Sequence, residues 1–403
     1  MAYIFQRLKR FCCFIAGFVF FISGILKLLD PVGAGLVMDE YFSFLHIGFL
    51  SFASKAAGTA FALAEAILGA AMVTGVWRRS TAIAAFIFQG FFTLLTLILV
   101  IFNPEMDCGC FGEAIHLTHW QTFLKNIALI ILLLTAYIPM GSLGEPKSRK
   151  YVSFSLVVLS VVAFTLYSLL YIPMMDFTEY KPGAVLRSAK ASVPEGDMYE
   201  AVFIYEKDGK QESFTLQHLP DSTWNFVSTE TVLKEEFEDN GINLSFYDSD
   251  DEYRDNLAAE GKVMVISVYD TDIKEGRWAR IAKHIEASEK AGFRTLLLTA
   301  SSPDLASELM AEIGEESRSI IEKHIYFSDY KTLITLNRSN GGATYFSNGK
   351  LICKWAFRAF PDSRTLEEAN RDNDTEESLK HNTGKDLAFQ GFLLYVTAVM
   401  LLL

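Results

Sequence analysis

Five apolar runs, at roughly 11–29, 56–77, 80–102, 123–141 and 152–173, fill most of the first 175 residues of this 403-residue chain. A run of about 20 apolar residues is what an α-helix needs to cross the hydrocarbon core. In lipid the backbone must satisfy its own hydrogen bonds, so such runs fold as helices packed into a bundle. A sixth run, "DLAFQGFLLYVTAVMLLL" at 386–403, is shorter and carries no charge after Asp386. Arg7, Lys9 and Arg10 precede the first run, which reads as a retained signal anchor because no small-x-small cleavage site follows it. Charge is sparse up to 175, whereas 176–386 is rich in Asp and Glu. The net charge of −12 argues against a nucleic-acid partner, which would call for a basic surface. A membrane part followed by a water-facing part is the expected organisation.

Basic residues set the orientation. They gather at Arg7/Lys9/Arg10, at Arg78/Arg79 and at Lys147/Arg149/Lys150. Up-down threading puts these three clusters on one side, read as cytoplasmic. The opposite side receives the loop "DPVGAGLVMDEYF", the loop "NPEMDCGCFGEAIHLTHW" and the acidic part, so residues 176–386 are expected outside the cytoplasm.

The second loop carries the chemistry. Of five cysteines, Cys12 and Cys13 lie near the cytoplasmic end and Cys353 lies far downstream, while Cys108 and Cys110 face the side where disulfides persist. A C-x-C disulfide closes a very small ring and stores strain, and strained exposed disulfides are the labile or catalytic ones. Gly109 and Gly112 give the backbone room to close that ring. Thiol–disulfide exchange at the membrane surface, within reach of a quinone headgroup, is the leading reading. Lys125, His116 and His119 are the candidates for depressing a thiol pKa. Asp107, Cys108, Cys110, His116 and His119 together could instead hold zinc or copper(I), and a plain turn is the third option; no metal is assigned.

Polar residues also fall inside the spans. Ser23, Lys27 and Asp30 share one face of the first run, and Glu65 lies near the middle of the second. Charges in the bilayer face the bundle interior and pair, so Lys27 is expected to meet Glu65 or Asp30. Either a packing ion pair or a polar pocket for protons or a quinone follows.

The acidic part turns to strands at about 199. "YEAVFIYE" and "QESFTL" read as a hairpin turning at Asp208-Gly209, and "STWNFVS" as a further strand. From 261, "GKVMVISVYD", "RWARIAKHIEASEKAG", "FRTLLLTA" and "PDLASELMAEIG" alternate strand and helix. "HIYFSD", helical "YKTLITLNR" and the hairpin "GATYFSNGKLICKWAF" follow, the last turning at Asn348-Gly349. This order is similar to the thioredoxin-like sandwich. The position of its C-x-x-C reads "YDTDIKEGRW", without cysteine, and Gly341 stands where its cis-proline would be. Cys353, on the last strand, reads as a buried filler.

"FISGILKLLDP" and "NPEMDCGCFGE" resemble the DoxX-like membrane proteins, in particular the MauE branch, over about residues 5–140. The whole chain resembles a bacterial type in which such a unit is fused to a thioredoxin-like domain. The resemblance implies redox work. MauE-type proteins act with a thioredoxin-like partner in maturing a disulfide-rich dehydrogenase, and other DoxX relatives belong to a thiosulfate:quinone oxidoreductase. Cys108 and Cys110 match the MauE cysteines by position. The expected architecture is therefore a four-helix membrane domain over 1–142, a fifth transmembrane helix over 143–175, a β-rich extracytoplasmic segment over 176–256, a thioredoxin-like domain lacking C-x-x-C over 257–375 and a closing transmembrane helix over 386–403. The expected activity is exchange of thiol/disulfide electrons between extracytoplasmic client proteins and the bacterial inner membrane, with a quinone as the acceptor or donor that the position allows. The alternative is a non-catalytic scaffold whose outside domain binds a partner.

Overall fold

The computed structural model describes residues 2–104, 106–138, 146–187, 199–207, 210–215, 224–233, 241–306, 313–371 and 374–402. The chain divides into two compact units, one formed by Met1–Thr178 with Thr383–Leu403, the other by Glu179–Asn382.

In the first unit, five helices are long and apolar enough to cross a membrane: Ile4–Leu29, Gly48–Thr74, Arg78–Phe102, His119–Tyr137 and Ser148–Leu170. We label them as α1 (Ala2–Leu29), α3 (Ser54–Thr74), α4 (Arg78–Phe102), α5 (His119–Tyr137) and α6 (Ser148–Leu170), with α2 (Pro31–Phe44) between the first two. All five expected spans are present, making this a multi-pass membrane protein. Helix α2 is a departure, because "DPVGAGLVMDEYF" reads as a loop by sequence. Asp30 starts it, accepting a hydrogen bond from the Gly33 backbone at 3.0 Å, with Pro31 at the first helical position. Asp30 is thus a helix cap, and of the two partners expected for Lys27 it is Glu65 that the lysine meets, at 2.5 Å.

Small residues let α1 and α3 touch at backbone distance: a Cβ on Gly24 or Gly69 would overlap main-chain atoms of the opposite helix. Phe21, Ile25, Ala62 and Ala66 are buried at this contact. The C-terminal run belongs to a longer helix than expected. Ser153 Oγ donates to Val399 O at 2.6 Å and Lys150 Nζ to Met400 O at 3.2 Å, while Phe164 stacks on Phe392.

In the second unit, β2 (Tyr199–Lys207), β3 (Lys210–Thr215) and β4 (Asn225–Leu233) form an antiparallel sheet of order β3-β2-β4; the expected turn at 208–209 lies outside the described residues. Its aromatic side carries Tyr205, Phe214 and Phe226, with the ring of Trp224 against Phe214.

A five-stranded sheet follows, built from β5 (Lys262–Val268), β6 (Arg294–Thr299), β7 (Ile325–Phe327), β8 (Gly342–Ser347) and β9 (Lys350–Trp355) in the order β7-β6-β5-β8-β9. Strands β5, β6 and β7 are parallel; β8 and β9 run antiparallel to their neighbours. Residues of β5 alternate between two cores, as a strand buried on both faces must. Met264, Ile266 and Val268 meet Trp278, Ile281 and Ile285 of α7 (Glu275–Lys290), Ile321 of α8 (Glu315–Glu322) and Leu366. Val263 and Val265 meet Leu333 and Leu336 of α9 (Tyr330–Leu336). Helix α8 was not anticipated, and the second expected helix, 303–314, falls partly outside the described residues. Helix α10 (Ser363–Arg371) supplies Leu366, and α11 (Asp374–Leu402) begins in this unit with Asn382 Nδ2 donating to Ile352 O at 3.1 Å.

The second core also takes Tyr180 and Leu186 from before the three-stranded sheet, and Ile242, Leu244 and Phe246 from after it. Leu186 bridges Ile242, and Arg187 N donates to Ile242 O at 2.8 Å. The three-stranded sheet is therefore an insertion whose two ends meet on the α/β core. The β-rich segment expected over 176–256 is not one block, because its flanks complete that core.

His284 on α7 is buried and stacked on Phe360 at 3.9 Å, with no hydrogen-bond partner for Nδ1. Burial, helped by nearby Arg280, pushes its pKa down to about 4. The unfolded chain takes up this proton near pH 6.5 but the folded unit only near 4. Stability is thus complete above 6.5 and falls as the pH drops toward 4, by about 2 kcal/mol at pH 5. Urea midpoints of the full chain between pH 7 and 5 should show the loss, and His284→Phe should flatten it.

Candidate functional site

Three backbone segments meet at the end of the bundle formed by the C-terminus of α1, the N-terminus of α3 and the loop 103–118. His119 shapes the loop, with Nδ1 at 3.3 Å from Asn103 Oδ1 and Nε2 at 3.0 Å from Met106 O. Asn103 ends α4 in the left-handed conformation, and Thr118 starts α5 through a reciprocal capping box with Gln121. The chain returns as an extended segment, β1 (Cys110–Glu113), against α1.

The C-x-C segment is seated by its carbonyls. Tyr41 Oη of α2 donates to Cys108 O at 3.0 Å, and Ser23 Oγ donates to Cys110 O at 2.6 Å. Gly109 and Gly112 both have φ +59°, which only glycine adopts without strain, and a Cβ on Gly109 would overlap Val37. One turn further along α1, Lys27 Nζ donates to Ser23 Oγ at 3.1 Å and to Glu65 at 2.5 Å. A continuous polar chain therefore runs from Cys110 through Ser23 and Lys27 to Glu65.

Both cysteines are free thiols in different settings. Cys108 is buried among Tyr41, Leu95 and Leu99, and Cys110 is half-buried. Burial pushes the Cys108 pKa up, against smaller opposing effects of the Thr122 hydroxyl and Lys125. Lys125 also lies over the Phe111 ring, 4.9 Å from its centre. The expected depression of a thiol pKa is thus not met at Cys108, because loss of water outweighs a single lysine.

These groups border a partly open recess. Ser23, Lys27, Glu65, Lys125 and the stretch Cys108, Gly109, Cys110 and Gly112 all face it, which brings together residues that the sequence offers as two separate groups. Asp30, Asp107, His116 and His119 do not. His116 pairs with Asp107 at 3.3 Å on the exposed rim, and His119 is spent on the loop. The five residues considered as metal ligands do not converge, and no group of three or more His, Cys, Asp or Glu side chains suited to a metal occurs among the described residues.

Three contributors escape sequence reading. Tyr41 and Val37 sit on the unforeseen α2. The Asn126 side chain of α5 donates to Thr96 Oγ1 at 3.1 Å, and the Asn126 backbone carbonyl accepts the Gln89 side-chain amide at 3.3 Å. An Asn within an apolar run was the available signal for the last of these.

Residues 5–139 match the family described as methylamine utilisation protein MauE. That match covers α1 to α5 and therefore every residue of the recess. Residues 199–236 match a domain of unknown function, DUF8463, which coincides with the inserted three-stranded sheet. No curated protein and no solved structure matches the chain.

Proposed function

We propose that Cys108 and Cys110 of the MauE-matching bundle form a thiol–disulfide exchange pair at the extracytoplasmic surface of a bacterial inner membrane. The observation that carries the reading is the unequal seating of two thiols one residue apart, one exposed enough to meet a partner and one shielded from it. In the reduced pair, the Cys110 thiolate attacks a disulfide of an extracytoplasmic protein and displaces one of its sulfurs. Cys108 then loses its proton and attacks Cys110 Sγ, which releases the partner as a dithiol and leaves a Cys108–Cys110 disulfide. The reverse sequence oxidises a partner dithiol. Lys125 faces the same recess as both thiols.

Orientation rests on the positive-inside rule. Arg7, Arg10, Arg78, Arg79, Lys147 and Arg149 lie toward the bundle end opposite the C-x-C loop. In the same reading residues 386–403 form a sixth span beside α6. The strand order β7-β6-β5-β8-β9, with helices α7, α9 and α10, supports a thioredoxin-like domain carrying one extra edge strand. Its loop at the end of β5 holds no thiol. Asn340 instead clamps it, accepting from Tyr269 N and Asp270 N and donating to Asp270 O at 2.7 Å. Cys353 is wholly buried. We assign this unit to holding the client rather than to electron transfer.

Trapping tests the proposal. Full-length Cys108→Ser, expressed in its own host, should accumulate mixed disulfides through Cys110 on non-reducing gels. Cys110→Ser should give on the order of tenfold fewer, since its remaining thiol is shielded. A double variant that keeps an unchanged phenotype, with no covalent partner on either single variant, would leave the non-catalytic scaffold instead.

A further inference from the structure

Three segments meet at the C-terminal end of β5, the end at which open α/β sheets bind ligands: the β5–α7 loop, the stretch 338–341 before β8 and residues 357–358 after β9. We infer that the arginines gathered there form a docking surface for an acidic segment of the extracytoplasmic protein that the cysteines serve. The inference rests on the exchange reading above and adds how the client is recognised.

Phe357 is the platform. The Arg277 guanidinium, from the first turn of α7, lies 4.5 Å from the centre of its ring, and the Arg280 guanidinium lies 5.0 Å from it. Arg358 follows Phe357 in the chain and is close enough to Arg277 for the two charges to repel. Arg277 Nη2 donates to Asn340 O, which ties this guanidinium to the loop that Asn340 clamps. A guanidinium over a ring gives up one face and keeps its N–H edges for carboxylate oxygens. Tyr330, half exposed, packs edge-on against Tyr269 at 5.9 Å and gives the surface an apolar margin.

The cluster has no counter-charge. Among the described residues, none of Arg277, Arg280 and Arg358 forms an ion pair, and Arg280 and Arg358 are exposed. Elsewhere in the same unit, Arg254 pairs with Asp248 at 2.7 Å, and Arg364 and Arg371 pair with Glu368 and Glu367 at 3.0 Å. Asp270 is the one carboxylate that acts on Arg277, and it does so less than the repulsion from Arg358. In a unit rich in Asp and Glu, three like charges held around one ring without a carboxylate point to an anion from outside the chain. The surface is open, with free space where a Cβ on Gly276 would stand, which fits a run of carboxylates on a peptide. A chain of net charge −12 repels an acidic protein as a whole, and a local basic patch then fixes where and in which orientation contact is made.

The test uses the full-length chain in phosphatidylcholine nanodiscs, with a fluorescein-labelled peptide of alternating Glu and Gly as probe, the same peptide with Gln for Glu as control and inorganic phosphate as competitor. The Glu peptide should bind and the Gln peptide should not. Arg280→Gln/Arg358→Gln alters two exposed side chains and should leave thermal unfolding unaltered, yet weaken binding on the order of tenfold, as lost charge-assisted hydrogen bonds would. Arg364→Gln/Arg371→Gln, which removes arginines already paired, should leave binding unchanged. Added to Cys108→Ser, the Arg280→Gln/Arg358→Gln pair should cut the yield of mixed disulfides while maleimide labels Cys110 at an unchanged rate. Equal binding of both peptides, or undiminished binding in Arg280→Gln/Arg358→Gln, would overturn the surface. So would displacement of the Glu peptide by phosphate where sodium chloride of equal ionic strength leaves it bound, which would mark a phosphate site instead. Undiminished mixed disulfides in the arginine variant would overturn the docking of the client there while the exchange reading stands. Arginine-dependent peptide binding with no mixed disulfide on either cysteine variant would keep the acidic docking surface and remove the exchange reading.

Discussion

Lys27→Met alone is expected to destabilise the bundle by about 3–5 kcal/mol, because it leaves Glu65 charged and without its partner in a low-dielectric interior. The Lys27–Glu65 contact is 2.5 Å long, with the two side chains only 16 % and 12 % exposed. The same lysine also donates to Ser23, so its loss loosens the hydroxyl that holds Cys110 O. Replacing both partners, Lys27→Met with Glu65→Leu, removes the orphaned charge and should restore most of the stability, since a buried pair rarely outperforms apolar residues of similar size. Thermal unfolding of the detergent-purified chain, followed by the fraction remaining monodisperse, measures both. A single variant as stable as the parent would mean that water reaches the pair freely. Recovery of stability in the double variant without recovery of thiol exchange would separate the packing role from the positioning of Cys110.

The five spans were legible because apolar length alone decides them, and, apart from α8, the order of strands and helices after 261 was legible because burial on one or both faces writes period two and period 3.6 into the sequence. Helix α2 was hidden by composition. Its stretch holds Pro31, Gly33 and Gly35, residues poor in a helix interior, and fourteen residues are too few to span. The Asp30-Pro31 pair was the overlooked start signal. Missing α2 meant missing Tyr41 and Val37, and with them the roof of the recess. The histidines misled for a different reason. Proximity in sequence to Cys108 and Cys110 says nothing about direction, and His119 turns back to close the loop on Asn103 and Met106. Ser23, Lys27 and Glu65 were legible as a set because a charge inside a span has nowhere to go but inward. That they line the same recess as the cysteines depends on where β1 folds back on α1, which no local pattern encodes.

Gly109→Ala should unseat the C-x-C loop, and two separable causes contribute. The left-handed backbone at φ +59° costs about 1–2 kcal/mol for a residue with a Cβ. The new methyl would also overlap Val37 Cγ1, a branched side chain on α2 that cannot swing away freely. Relief comes by lifting the loop, which stretches the Tyr41–Cys108 hydrogen bond and exposes the Cys108 thiol. The measurement is the rate of maleimide labelling of Cys108 in a Cys110→Ser background, expected to rise on the order of tenfold as the buried thiol opens. Val37→Ala added to Gly109→Ala removes the overlap but not the backbone strain, so labelling should fall part of the way back. Complete return would mean that the clash alone mattered, and no return that the dihedral alone did. Unchanged labelling in Gly109→Ala would show that Cys108 is not held beneath Tyr41, and the division of roles between a half-buried attacking thiol and a buried resolving one would fall with it.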